Sequence, residues 1–197
     1  MLAKSWACFA SAKLLIKIKP PFGLQLGQRL GPQYGPPFGI MIKISALLYN
    51  IRSLHNVGSM FRTADGAGVK KLYLCGETGT PPRAEIAKTA LGAEESVPWE
   101  YWMNAVECIA KLKKEGIQIV ALELTPKSVD YRKFVAKGPV CLVVGSEIKG
   151  IPPDLLALCD DCIQIPMRGI KESLNVSVAF GIAAYQLTSG LDLEKLV

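Results

Sequence analysis

The chain has 197 residues, half of them hydrophobic, which suits one domain with a sizeable core and excludes a largely disordered polypeptide. Its net charge of +6 is unevenly placed, because residues 1–40 contain five of the 23 basic side chains and no acid. Residues 41–197 therefore carry 18 basic against 17 acidic side chains, so bulk charge does not indicate nucleic-acid binding and any RNA surface must be a local patch.

Residues 1–40 combine a lysine-containing apolar start with a stretch rich in Gly and Pro, which oppose regular structure. The lysines interrupt the apolar run that a secretory signal needs. The basic, acid-free composition is compatible with an organelle transit peptide. We instead predict a flexible arm, or a translated leader before a genuine start at Met41, followed by a folded domain over residues 41–197.

From Met41 onward, strand patterns alternate with helix patterns. Strands are predicted at Ile44–Tyr49, Val69–Leu74, Ile117–Leu124, Val140–Val144 and Cys162–Ile165, with an irregular segment at Val97–Trp102. Helices are predicted at Asn56–Ala67, Ala84–Leu91, Asn104–Glu115, Pro152–Leu158 and Ser173–Leu187. Asn56, Asn104 and Ser173 are the predicted N-caps, and Gly68 and Gly116 are the predicted terminators.

Strands separated by helices imply an α/β fold, with a mostly parallel sheet flanked by helices. Ligands of such sheets bind beyond the carboxyl ends of the strands. That rule predicts a site in the loops after Tyr49, Leu124, Val144 and Ile165.

Two other features have plain structural interpretations. The six cysteines are scattered, which favours reduced thiols in a cytoplasmic protein. Cys159 and Cys162 form a CxxC without a second pair, so core-facing thiols are favoured over zinc binding or a redox role. The uncharged segment Ser173–Leu191 is long enough to cross a bilayer, but its polar and small residues favour a buried or interface helix.

The first loop with candidate functional residues runs from Asn50 to Arg62. Asn50, Arg52 and Asn56 surround a strand-to-helix turn, and Gly58 permits close approach of a neighbouring backbone. Arg62 offers a guanidinium that binds phosphate in a bidentate manner. The alternative is an ordinary salt bridge on a solvated face.

The other two loops follow later strands. Gly145–Gly150 has glycines around Glu147, which either binds a ligand or orders the loop through backbone N–H groups. It is neither a P-loop nor a GxGxxG turn, and a simple strand-to-helix turn is the alternative. Ile165–Glu172 is a loop that leads into a helix start, where Asn175 lies near unpaired N–H groups. The alternative there is a capped core helix.

Taken together and in this order, the three segments resemble the motifs of the SpoU/TrmH family of RNA ribose 2′-O-methyltransferases, of the SPOUT class. The resemblance covers residues 44–188. The matching positions are Asn50, Asn56, Gly58 and Arg62 for N…R…N-x-G…R, then Gly145, Ser146, Glu147 and Gly150 for G-[NSTA]-E-x-x-G, then Ile165–Met167 and Ser173–Ser177 for I-P-M…S-L-N-V-S.

The resemblance implies a C-terminal deep trefoil knot, a homodimer whose active site is completed across the interface, an RNA substrate (tRNA or rRNA), and S-adenosylmethionine as methyl donor without a metal. It also implies residue roles. The donor site would comprise Gly145, Glu147, Ile165, Met167 and Leu174, and the catalytic positions would be Arg62 and Asn175, supported by Ser173. We assign RNA contacts to Asn50, Arg52, Asn56 and Arg168.

A guanidinium stays protonated in proteins, so we expect Arg62 to hold an RNA phosphate and stabilise the developing alkoxide, while the phosphate or water takes the proton. Two other functions remain open. One is a SPOUT enzyme that methylates a base nitrogen, and the other is an RNA-binding or assembly factor with weak or lost catalysis. The expected location is the cytoplasm, without a membrane anchor.

Overall fold

The computed structural model describes residues 43–189, so the predictions for residues 1–40 lie outside the described part of the chain. The strands are β1 (Ile44–Tyr49), β2 (Leu72–Cys75), β3 (Trp99–Trp102), β4 (Gln118–Leu122), β5 (Val129–Asp130), β6 (Val140–Val144) and β7 (Asp161–Gln164). The helices are α1 (Leu54–Ala67), α2 (Ala84–Ala90), α3 (Ala93–Ser96), α4 (Ala105–Lys114), α5 (Pro153–Leu156) and α6 (Val176–Thr188).

The strands form one seven-stranded sheet in the order β3-β2-β1-β6-β4-β7-β5. All six pairings are parallel, which confirms the predicted α/β fold with a parallel sheet flanked by helices. The register aligns Leu48 with Val144 and Val144 with Leu122, so β1, β6 and β4 end at the same edge of the sheet. This edge is where parallel sheets bind ligands. The trefoil knot stays a prediction.

Helices cover both faces of the sheet, because its central strands are apolar on both sides. In β1, Ile44, Ala46 and Leu48 pack into one core with α1 and α6. The intervening Leu47 packs into a second core with α4 and α5. Every one of these strand residues is at most 1% exposed, so β1 lies in the middle of three layers.

Most predicted elements are confirmed, and β1 and β6 have the predicted bounds. The segment Val97–Trp102, predicted as irregular, instead contains β3, which pairs with β2 along one side. The prediction missed this strand because its alternation is between exposed and half-buried residues rather than between buried and exposed ones. The short elements α3 and β5 were not predicted either.

Two predicted helix caps were wrong. Ser53, not Asn56, caps α1, and its hydroxyl accepts a hydrogen bond from the backbone N–H of Asn56 at 3.3 Å. Asn175, not Ser173, caps α6, and its Oδ1 accepts from the backbone N–H of Ser177 at 2.9 Å. In both cases the side chain that accepts from a free N–H of the first turn defines the cap. Asn104 and Gly68 cap α4 and α1 as predicted.

Gly58 lies where α1 crosses α2. A Cβ at this position would overlap the Thr89 hydroxyl and the carbonyl oxygen of Ile86, both on α2. The prediction that Gly58 permits close approach of a neighbour is therefore confirmed. This contact fixes α1, whose amino-terminal end adjoins the binding edge of the sheet.

The described cysteines are free, as predicted. Cys159 and Cys162 are half-buried against the second core. Within residues 43–189, no helix is both long and apolar enough to cross a membrane. The last helix, α6, has 13 residues and packs on α1 through Phe180, Ala183, Ala184 and Leu187.

Candidate functional site

A cavity of about 950 Å³ opens at the carboxyl ends of β4, β6 and β7. The loops after three of the four predicted strands line it, so the cavity lies at the edge where the sheet rule places ligands. Its walls contain all five residues predicted to hold the donor, which are Gly145, Glu147, Ile165, Met167 and Leu174. Ser173 and Asn175 also line the cavity.

The loop after β6 forms one wall and is closed on itself. The backbone N–H of Ser146 donates to the carbonyl of Gly150 at 3.2 Å, and the N–H of Gly150 donates back to Ser146 at 2.9 Å. Gly150 adopts a left-handed conformation with φ of 64°. A Cβ at Gly145 would overlap the backbone of Gly150 and Ile151, so this tight loop depends on glycine at position 145.

Glu123 is a cavity residue that the sequence did not reveal. It follows β4 directly, and its Oε2 accepts a hydrogen bond from the N–H of Ile151 at 2.9 Å. Its Oε1 accepts from the N–H of Leu124 at 3.0 Å. Glu123 therefore ties the end of β4 to the loop after β6. The predicted strand continued to Leu124 and so hid Glu123 inside a strand.

Glu147 orders a neighbouring segment through backbone N–H groups, one of the two roles that its position allowed. Its carboxylate accepts hydrogen bonds from the backbone N–H groups of Arg52 at 3.1 Å and Ser53 at 3.2 Å. It also accepts from the side-chain amide of Asn56 at 2.9 Å. The carboxylate thus anchors the start of α1 beside the cavity, which also agrees with the preference of helix starts for negative charge.

Asn175 extends this network to the third loop. Its Nδ2 donates to Oδ1 of Asn56 at 3.3 Å, while its Oδ1 accepts from the hydroxyl of Ser177 at 2.7 Å. A continuous hydrogen-bonded chain therefore runs from Ser177 through Asn175 and Asn56 to Glu147. We define this chain as the Asn175–Glu147 relay. Asn175 is exposed in the single chain.

The hydrogen bonds that Glu147 accepts shift the pKa of its carboxyl group. Burial alone would raise the pKa of this carboxyl, but the hydrogen bonds from Asn56, Arg52 and Ser53 outweigh burial and hold the pKa below its ordinary value. Because the folded-state pKa is lowered, these bonds stabilise the fold above the unfolded pKa of about 4.3. Their contribution is lost as the pH falls through the folded-state pKa.

We therefore expect Glu147→Gln to lower the free energy of unfolding by about 1 kcal/mol at pH 7, after allowance for solvent screening of a largely exposed group. The deficit should shrink as the pH falls from 5 to 3, because the native carboxylate is then protonated too. Urea unfolding at several pH values measures this. Glu85→Gln, at an exposed position of α2, is the control for loss of a surface carboxylate. A constant deficit for Glu147→Gln would contradict the assignment.

Arg62 is not part of this cavity. It lies on α1 six residues beyond Asn56, about 9 Å further along the helix and about 240° around it. The side chain is exposed. On the same stripe of α1 lies Gly66, whose Cβ position would be 3.0 Å from the Tyr185 hydroxyl on α6. Arg62 therefore borders the surface that α1 and α6 share.

The predicted RNA contacts lie outside the lining of this cavity and are not clustered at one place. Asn50 has a positive φ of 51°, and its Oδ1 accepts from the N–H of Glu77 at 2.8 Å, which fixes the loop after β2. Arg52 is exposed and lines a second cavity of about 540 Å³. Arg168 is exposed in the loop after β7. Asn56 belongs to the relay, so its amide is already engaged.

Comparison with known proteins identifies relatives of this chain. The SpoU rRNA Methylase family model matches residues 43–185. The chain is 37% identical over 137 residues to a protein of Aquifex aeolicus named tRNA (guanosine(18)-2′-O)-methyltransferase. The matched residues cover 70% of this chain and 64% of the relative. The chain is 35% identical over 142 residues to a 23S rRNA (guanosine-2′-O-)-methyltransferase of Vibrio parahaemolyticus, which covers 71% and 56%.

Solved structures share the fold. The AdoMet-bound rRNA methyltransferase from Sinorhizobium meliloti superposes with a TM-score of 0.69 at 31% identity, over 74% of this chain and 55% of that chain. The chain thus spans less than two thirds of the length of the relatives described above.

Proposed function

The chain belongs to the SpoU rRNA Methylase family, and on that premise we propose that it transfers a methyl group from S-adenosylmethionine to a ribose 2′-hydroxyl of tRNA or rRNA. One observation carries the proposal. The second and third motif segments line one cavity, and the Asn175–Glu147 relay joins the first segment to both through Asn56, although Asn56 and Glu147 are 91 residues apart in the chain. Relatives named for tRNA and for rRNA methylation support the substrate class.

The cavity fits the donor. It has room for a nucleoside with an amino-acid tail, and Gly145 lies in its lining, in a loop too tight for a side chain at that position. We assign donor binding to this glycine and to Ile165, Met167 and Leu174, with Glu147 acting through the loop geometry. The donor supplies a methyl group that its sulfonium already activates and departs as a neutral thioether, so the transfer requires no metal.

The ribose hydroxyl must lose its proton as the new oxygen–carbon bond forms. We assign Arg62 to an RNA phosphate next to the reacting ribose, where its guanidinium stabilises the developing alkoxide. The guanidinium stays protonated, so the proton passes to the phosphate or to water. Asn175, at the mouth of the cavity, orients the hydroxyl, and Ser173 supports the loop that precedes it.

A second copy of the chain completes the site in this proposal. Helix α6 contains no charged residue, yet Val178 is 50% exposed and Tyr185 is 55% exposed. A helix with an uncharged outer face is typical of one that is covered by another protein surface. A twofold dimer packed on α1 and α6 would bury these side chains and place Arg62 of one subunit at the interface.

The remaining assignments follow from this function. We assign RNA contacts to four residues outside the lining of the donor cavity: Asn50, Arg52, Asn56 and Arg168. We propose that residues 41–197 are the methyltransferase domain and that residues 1–40 are an extension. We also propose a cytoplasmic location, which the free state of the described cysteines supports.

Methyl transfer from radiolabelled S-adenosylmethionine to total tRNA and rRNA tests the function, with the labelled nucleosides identified by mass spectrometry. We expect 2′-O-methylnucleosides. We expect Asn175→Ala to lower kcat at least about tenfold and to leave the donor Kd within about twofold, because the amide orients the hydroxyl rather than the donor. Glu85→Gln serves as the unaffected control. A methylated base would indicate a base methyltransferase, and donor binding without any transfer would indicate a binding factor.

A further inference from the structure

A second cleft lies at the carboxyl ends of β1 and β2 and alongside β3, on the side of the sheet away from β7. It has a volume of about 540 Å³ and shares no lining residue with the donor cavity. Its walls include Arg52, Leu54, Thr80, Arg83, Trp99 and Tyr101. Of these six residues, Arg52 alone corresponds to a position of the family motifs.

Two aromatic rings form one wall. Trp99 and Tyr101 are two residues apart on the edge strand β3, so their side chains project from the same face. Trp99 is 36% exposed and Tyr101 is 43% exposed. The Tyr101 hydroxyl donates to the carbonyl of Gly76 at 3.0 Å, which holds the ring in place. The cleft therefore presents flat apolar surfaces that are at least partly fixed before any ligand binds.

Two guanidinium groups border the same cleft. Arg52 precedes α1 and Arg83 precedes α2, and both are exposed. Within residues 43–189, neither side chain is in an ion pair or donates a hydrogen bond to another residue. Glu77 also lines the cleft, which leaves its lining with a net positive charge. Aromatic faces beside free guanidinium groups are the combination that binds an unstacked base and its phosphates.

Arg52 connects the cleft to the donor cavity. The backbone N–H of Arg52 donates to Glu147, which lines the donor cavity, while the same residue lines the second cleft. A strand of RNA that passes over this residue would reach both cavities. The bases of a duplex are stacked on each other, so only a single-stranded segment could place a base on Trp99 or Tyr101.

We propose that this cleft binds a nucleotide of single-stranded RNA that flanks the methylated one, with its base on Trp99 and Tyr101 and its phosphates on Arg52 and Arg83. The inference rests on the proposed function and deepens it, because it makes an unpaired loop the preferred substrate. The cleft would then fix the register of the RNA strand, and the donor cavity would act on the neighbouring ribose.

Fluorescence anisotropy of the whole protein with a fluorescein-labelled 12-nucleotide RNA tests the proposal without the donor. We expect Trp99→Ala to weaken binding of the single strand about tenfold, and Trp99→Phe, which keeps a ring, to retain most of the affinity. The same RNA annealed to its complement should bind weakly and equally to all three proteins. Tryptophan quenching by the single strand should be smaller in Trp99→Phe, which keeps Trp6 and Trp102. Thermal melting identifies any variant that has not folded.

Arg83→Gln provides a second, independent variant. It should reduce the slope of log affinity against log salt by about 0.7, as expected for one lost phosphate contact with a single strand. Lys88→Gln is the matched control, because it removes the same charge from α2 outside the cleft and should leave the slope unchanged. Folded variants that bind RNA with unchanged affinity and salt slope would overturn the proposal.

Calorimetry with S-adenosylmethionine separates this inference from the proposed function. In the cleft variants we expect an unchanged donor Kd, an unchanged kcat at saturating RNA and a raised KM for RNA. If the unaltered chain binds RNA in the cleft but methylates none, the proposed function fails and the binding site stands. If it methylates RNA and the folded cleft variants have an unchanged KM, the inference alone fails.

Discussion

Replacing Gly145 with alanine is expected to weaken the binding of S-adenosylmethionine about a hundredfold, equivalent to about 3 kcal/mol. The new Cβ would overlap the backbone carbon and oxygen of Gly150 and the nitrogen of Ile151. These atoms cannot rotate away as a flexible side chain does. The loop is also held by its two backbone hydrogen bonds and by Glu123, so relief of the overlap must move the cavity wall.

Gly169→Ala is the matched control, because Gly169 lines the same cavity on the opposite loop. A Cβ there meets nothing within 4 Å, and the backbone does not adopt a left-handed conformation. We expect a donor Kd within about threefold of the unaltered value, since only open space is filled. Titration calorimetry measures both variants, and circular dichroism confirms folding. Equal donor affinities of the two variants would contradict the assignment of the cavity to the donor.

The sequence predicts the sheet and the place of the site because both follow from local patterns. The buried runs Ile44–Tyr49 and Val140–Val144 are long, apolar and closed by polar loops, and both strands have the predicted bounds. Once these strands are parallel, their carboxyl ends must share an edge, and the chemically active loops follow. The cavity lined by Gly145 and by the loop that leads to Asn175 lies at this edge.

What the sequence could not predict depends on long-range contacts. Asn56 and Ser173 have good capping side chains, but the hydrogen bonds of the folded chain assign the caps to Ser53 and Asn175. Asn175 and Asn56 are 119 residues apart in the chain, so no local sequence pattern predicts the relay. Glu123 was predicted to lie within a strand, because its role depends on a hydrogen bond from Ile151 that only the folded chain forms. The cleft beside β3 was hidden because β3 itself was not predicted.

Arg62 raises a different problem, since the structure of one chain does not bring it to the cavity. Mixing an Arg62→Ala chain with a Gly145→Ala chain is expected to restore methyl transfer, although each variant alone should be at least about a hundredfold impaired. In a twofold dimer that completes each site across its interface, the mixed dimer has one intact site. That site takes its cavity from the Arg62→Ala subunit and its guanidinium from the Gly145→Ala subunit.

Random assortment gives about half mixed dimers with one of two sites intact, so the expected activity is about a quarter of the unaltered enzyme. A chain with both substitutions, mixed with the unaltered chain, is the reciprocal control. If Arg62 acts across the interface, this control should retain about a quarter of the activity, because its mixed dimers have no intact site. If Arg62 served its own chain, the first mixture would stay inactive and the control would retain about half. Light scattering verifies that each mixture is dimeric, so the two activities together decide which subunit supplies the guanidinium.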